Sequence, residues 1–179
     1  MKLHWLTGLL AVACSIPAWA TLPLTPFEQA PTQPLPHSAT ISAYLRTLDQ
    51  ESQFAAVTRL GISAGGRPVE ALLVSADASF LQQGKPAADK PTVMLLGSQH
   101  GNEPSGTEVL QILARRLLDG ELTPWLQQMN FVIVALANPD GRDLNRRLNA
   151  KDENPNLDFI AVESPETRIY IDALERFQP

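Results

Sequence analysis

The rhythm of apolar positions changes several times along the chain, and each change predicts an element. In SATISAYLRTLDQE, residues 38–51, Ile41, Tyr44, Leu45 and Leu48 recur at helical spacing, and Ser38 is placed to cap the first turn. FAAVTRLGISAGGRPVEALLVSA then reads as two short strands around a Gly65-Gly66 turn, an antiparallel hairpin. Arg67 beside that turn reads as a solvated turn residue. Residues 92–98, TVMLLGS, are an apolar run of the kind expected for a strand buried on both faces. From Pro104 to Asp119 the stripe Leu110, Leu113, Ala114, Leu117 and Leu118 predicts a helix, which Gly120 stops. FVIVALA, 131–137, predicts a second buried strand, closed by the turn signal Asn138-Pro139-Asp140-Gly141. Near the end Ser164 is an N-cap candidate with Pro165 at the first helical position and Glu166 in the first turn, for a helix reaching about Phe177.

Strand, helix and strand at this spacing imply a parallel crossover. The fold class expected is α/β, with a mixed, mostly parallel sheet, flanking helices and an N-terminal antiparallel hairpin. A hydrophobic content of 44% over 179 residues allows one such domain with a real core.

The ends of the chain have a different character. MKLH followed by LTGLLAVACSIPA and Ala18-Trp19-Ala20 has the charged start, apolar centre and small-x-small close of a signal peptide, cut after Ala20. That reading places the protein in the periplasm or outside the cell, without a stable membrane anchor. It also removes Cys14, the single cysteine, so no disulfide would support the mature fold. Residues 21–37 carry five prolines and no apolar period, and read as an extended, poorly ordered spacer ending in a solvated His37. The expected organisation is signal peptide 1–20, spacer 21–37 and one folded domain over 38–179. A net charge of -5 gives no reason to expect nucleic acid as a partner.

Both polar clusters of the chain follow a predicted parallel strand, where ligands bind in open α/β sheets. In GSQHGNEPSG, residues 97–106, a neutral His100 and an ionised Glu103 are two of the three ligand types of a His-His-Glu catalytic zinc. The same pattern also describes a hydrogen-bonded loop histidine with a glutamate favoured by a helix N-terminus. The second cluster, NPDGRDLNRRLNAKDENPNLDF, by itself describes an irregular charged loop.

GSQHGNEPSG followed by NPDG, with GISAGGRPVEALLVS before and RLNAKDENPNLDF and ESPETR after, resembles the zinc carboxypeptidase family over about residues 38–176. The resemblance implies that His100 and Glu103 are the first two zinc ligands. It implies that Arg147 polarises the scissile carbonyl, with the adjacent Arg146 as the alternative for that position and a substrate contact. Asn156 matches the asparagine that holds a substrate's terminal carboxylate. The next position, usually arginine, is Leu157 here, which cannot donate the bidentate hydrogen bonds a carboxylate takes.

The family's third ligand is a downstream histidine and its general base a later glutamate. No histidine follows His100, and Glu163, Glu166 and Glu175 read as helix-start or surface carboxylates. The resemblance therefore implies the N-terminal half of a catalytic domain, with one Zn2+ per complete site and a peptide substrate. As this 179-residue chain the site would be incomplete or inactive. Two other functions compete: a zinc-dependent N-acyl amino acid deacylase related to succinylglutamate desuccinylase, and a non-catalytic remnant or binding module.

Overall fold

A computed structural model of the chain describes residues 22–31, 34–85 and 90–179. The signal-peptide reading of residues 1–20 lies outside them. The hairpin forms as β1 (Ala55–Ile62) and β2 (Pro68–Val74), and the crossover as β3 (Thr92–Leu96), α4 (Ser105–Leu118) and β4 (Asn130–Val134). Helices α1 (Pro26–Gln29), α2 (Ser38–Glu51) and α3 (Ala78–Gln83) precede the crossover, and α5 (Pro139–Asp143) and α6 (Pro165–Phe177) follow it.

The four strands lie in the order β1-β2-β4-β3. β1 with β2 and β2 with β4 are antiparallel, and only β3 with β4 is parallel. The sheet is mixed as expected, but the parallel share is smaller than the sequence suggests. The hairpin docks directly on β4, and a strand entering through a tight turn cannot run parallel to its partner.

The period of two in β2 and β4 sorts side chains onto two cores. Leu72, Val74, Phe131 and Ile133 pack with Leu45, Leu48, Ala114 and Leu117 of α2 and α4. Val69, Ala71, Leu73, Val132 and Val134 pack with Phe80, Ile169, Tyr170, Ala173 and Phe177 of α3 and α6. A strand covered on both faces must be apolar at every position, which explains the unbroken FVIV run. TVMLL has the same composition but a different place. Val93 to Leu96 remain half-buried, because β3 is at the edge of the four described strands.

Three local expectations are corrected. Ser38 is the first residue of α2 rather than its cap, and its backbone N and Oγ both donate to Asp143, at 2.7 and 2.8 Å. Arg67 is no solvated turn residue. Its Nε donates to Asp143 and its Nη1 to Asp140, each at 2.7 Å, which ties the hairpin turn to α5. The proline-rich segment is not uniformly extended: Thr25 and Glu28 form a capping box on α1, Leu22 is buried, and Glu28 pairs with Arg115. A capping box and an ion pair supply the partners that the backbone of a free spacer would find in water. No described helix is long and apolar enough to cross a membrane.

Burial pushes the Asp143 carboxyl up, but hydrogen bonds from Ser38 and Arg67 outweigh it, and the group sits below its ordinary range. A depressed carboxyl stabilises the fold above its unfolded pKa and stops doing so as the pH falls through the folded one. Asp143→Ala is therefore expected to cost about 2 kcal/mol at pH 7. Urea denaturation of both proteins at pH 7 and at pH 3 checks this, and the gap between them should narrow at the lower pH.

Candidate metal centre

The loop after β3 continues the parallel ladder irregularly. Gly97 N–H donates to the Val134 carbonyl, and Ala137 and Asn138 donate back to the Gly97 and Ser98 carbonyls. Ser98 then takes a left-handed conformation, φ 48°. Its hydroxyl donates to the Glu103 carbonyl at 2.6 Å and accepts from Thr107 at 2.8 Å, while Glu103 N–H returns to the His100 carbonyl at 3.1 Å. These bonds fold residues 98–103 into a tight turn at the start of α4, with His100 buried and Glu103 exposed beside it.

Gly101 brings that turn against the second loop. A Cβ added there would lie 1.9 Å from the Gly141 carbonyl carbon and 2.2 Å from the Arg142 nitrogen, so backbone meets backbone with no room for a side chain. Asn138 fastens the contact. Its Nδ2 donates to the carbonyls of Gln99 and Arg147, at 3.2 and 3.4 Å, and its Oδ1 accepts from Gly141 N–H at 2.8 Å. The NPDG stretch is thus more than a turn: its first residue joins the two loops that carry the candidate chemistry.

His100 is buried and bonded on both sides. The Asn154 Oδ1 accepts the backbone N–H of Asn156 at 3.2 Å, which orients the amide with its oxygen toward the imidazole. His100 Nε2, 3.1 Å from that oxygen, is therefore placed to donate to it. Nδ1 points the other way, to both oxygens of Glu103, at 3.1 and 3.2 Å. Two lone-pair donors cannot face each other at this distance unless a positive charge, a proton or a metal ion, lies between them.

The spacing suits a metal. Ligands 2.0–2.2 Å from a tetrahedral zinc stand roughly 3.3 Å from one another. The hydrogen bond from the His100 ring, opposed by desolvation and helped by Arg147, holds the Glu103 carboxyl below the usual carboxylate range, so it is available as an anionic ligand.

Arg147 Nη1 donates to Glu103 Oε1 at 2.7 Å. Both side chains are more than half exposed, 51% and 58%, so water screens the pair and the guanidinium can exchange this partner for a ligand oxygen. Arg146 is turned elsewhere: its guanidinium bonds Asp152 at 2.9 Å and the Asn149 carbonyl, bracing its own loop. Asn156 joins His100, Glu103, Gln99 and Ser105 around a cavity of about 470 Å³. The structure thus gathers His100, Glu103, Arg147 and Asn156 at one mouth and leaves Arg146 outside it.

The donor types fit zinc, and the donor number falls one short. Among the described residues no group of three His, Cys, Asp or Glu side chains converges, whereas a catalytic zinc takes three protein ligands and keeps one open position.

Sequence reasoning passed over two residues here. Asn154, the partner of His100, was legible only as an asparagine two positions before Asn156, a spacing that favours a local side-chain turn. Glu166 is fully buried, not merely a helix-start acid. It accepts from Ala64 N–H at 2.9 Å and Asn149 Nδ2 at 2.8 Å, and so sets the loop that presents Arg147 and Asn154.

Comparison with known proteins agrees with this geometry. The sequence profile of the zinc carboxypeptidase family matches residues 41–160. The chain belongs to the zinc carboxypeptidase family. Carboxypeptidase 2 of Trichophyton rubrum is 27% identical over 143 residues, covering 78% of this chain and 26% of its own length. Among solved structures, a metallo-carboxypeptidase from Burkholderia cenocepacia superposes with a TM-score of 0.64 at 26% identity, over 77% of this chain and 37% of that one. A metallo-carboxypeptidase from Pseudomonas aeruginosa, solved with (2-guanidinoethylmercapto)succinic acid, gives 0.59 at 25%, over 79% and 37%. The chain therefore spans about a quarter of the length of the fungal carboxypeptidase and over a third of these two structures.

The Gly101–Gly141 contact sets the position of both ligand candidates in this zinc carboxypeptidase-type fold. Gly101→Ala must push two backbones apart, an overpacking that costs about 1–3 kcal/mol. Thermal denaturation is expected to show the loss. The cross-peaks of His100 and Asn154 should shift together, because the loops move as a pair.

Proposed function

We propose that this chain contributes to a zinc-dependent peptidase of the metallocarboxypeptidase type, acting on peptide substrates. One observation carries the reading: a buried imidazole, bonded through Nε2 to Asn154, aims Nδ1 at the Glu103 carboxylate 3.1 Å away. Family membership supports the same chemistry. Zinc in such a site supplies a Lewis acid that polarises a carbonyl and acidifies a bound water.

The chain's own residues do the rest. His100 and Glu103 would hold the ion, and Asn154, bonded on the Nε2 side, orients the ring with Nδ1 toward Glu103. Arg147, exchangeable at Glu103, donates to the oxygen on which negative charge develops. Asn156 orients the substrate across the cavity. The described residues bring no third ligand to this pair.

A non-catalytic binding role has one observation in its favour, the two-ligand donor set. The two readings differ in metal affinity. The carboxypeptidase relatives favour a peptidase over an N-acyl amino acid deacylase.

Export to the periplasm or cell exterior is part of the proposal. It rests on the pattern of residues 1–20 and is supported if the amino terminus of the protein recovered from the periplasm begins at Thr21.

His100→Ala is expected to abolish zinc uptake in competition with a chromophoric chelator, and Asn154→Leu to weaken it by about 10- to 100-fold. In an assembled protein with a complete site, His100→Ala should also remove peptide hydrolysis. Undiminished zinc uptake by His100→Ala would sink the assignment.

A further inference from the structure

The cavity beside His100 has two chemical ends. At one, Glu103 carries a negative charge bonded to Arg147. Beside His100, the other polar side chains of the lining are Ser98, Gln99, Ser105 and Asn156, none of them ionisable, and among the described residues no lysine or arginine side chain lines the cavity. The Ser98 hydroxyl is already committed to Glu103 and Thr107. A ligand extending away from the metal pair therefore meets Gln99, Ser105 and Asn156.

On the same loop Arg146 is bound to Asp152 and the Asn149 carbonyl, Arg147 sits at the Glu103 end bonded to that carboxylate, and the exposed Lys151 is not among the residues that line the cavity. Leu157, next to Asn156, is 78% exposed and offers no donor. The charge that follows is negative: Asp158 accepts from the backbone N–H groups of Glu163 and Ser164, at 3.0 and 2.7 Å, and these bonds keep it ionised. A carboxylate placed here would give up water without gaining a charged donor and with a fixed anion nearby. An amide would lose little water and could both donate to and accept from Asn156 and Gln99.

We infer that the group bound at the Asn156 end of this cavity is an uncharged amide, from a blocked peptide end or a continuing peptide chain, and not a free carboxylate. The inference rests on the peptidase reading above and specifies which part of a peptide this wall accepts. A charge-assisted bond to a carboxylate is about ten- to a hundredfold in affinity, so its absence is measurable.

The test titrates the full 179-residue chain, with and without Zn2+, with benzoyl-Gly-Phe as its free acid, its primary amide and its N-methylamide. The side-chain amide signals of Gln99 and Asn156 are followed by NMR. Both amides should saturate these signals at concentrations at least about tenfold below the acid. Leu157→Arg, a surface substitution, should lower the concentration needed for the acid by about ten- to a hundredfold and leave the amides unchanged. A primary amide that outbinds the N-methylamide supports the inference with a blocked end as the source, and equal binding supports it with a continuing chain.

Acid binding as tight as amide binding, an acid response that Leu157→Arg leaves unchanged, or no shift from any peptide at millimolar concentration would each overturn it. The two readings fail separately. A chain that takes up no zinc yet prefers the amides sinks the peptidase reading, and one that takes up zinc yet prefers the acid sinks this inference.

Discussion

A histidine held between two acceptors is the constraint around which this molecule is arranged. Asn154 on one side of His100 and Glu103 on the other both present oxygen lone pairs to the ring. Imidazole in its neutral form can satisfy only one of them. The oxygen of Asn154 is oriented by the Asn156 backbone N–H and cannot be exchanged for its amide nitrogen without losing that bond. The demand for positive charge therefore falls on the Nδ1 side, where the Glu103 carboxylate already sits. The arrangement places the nitrogen of a buried ring against an acidic group, which favours positive charge between them.

Everything that holds this arrangement is built from backbone proximity and buried carboxylates. The two loops that leave the parallel strands touch through Gly101 and Gly141, where a single added methyl group would overlap the backbone. Asn138 then binds one carbonyl of each loop. Around this contact, Asp140 and Asp143 engage Arg67, and Glu166 engages Ala64 and Asn149. All three acids join the hairpin turn or its flank to elements more than 70 residues away in sequence. Removing one partner of such a network leaves a buried charge or donor unpaired, so the network resists piecemeal change.

The distribution of charge distinguishes the two ends of the cavity. Arg147 stands at the Glu103 end and Arg146 is bonded to Asp152, whereas the neutral wall at Asn156 is flanked by an exposed leucine. His100 and Glu103 follow β3, whereas Asn156 and Leu157 lie between α5 and α6, so the two ends of the cavity come from separate segments of the chain.

By itself the sequence determined most of the elements and singled out His100 and Glu103 as a pair. Helical spacing in residues 38–51 and 105–118, strand pairs around Gly65-Gly66 and the Ser164-Pro165 helix start are local patterns, governed by residues a few positions apart. His-x-x-Glu after a strand is equally local, so His100 and Glu103 could be named before any coordinates. What the tertiary structure decided is whatever depends on distant neighbours. TVMLL and FVIV are alike in composition, yet one lies at the edge and the other in the centre of the four strands, a difference set by where the hairpin docks. Ser38 looks like a cap until Asp143 arrives from 105 residues away, and Arg67 looks solvated until α5 brings two carboxylates to it. Asn154 has no signal of its own, because a hydrogen-bond acceptor for His100 is defined by position and not by residue type. Local periodicity is written in the chain, whereas partners across the fold exist only once the strands have chosen their order.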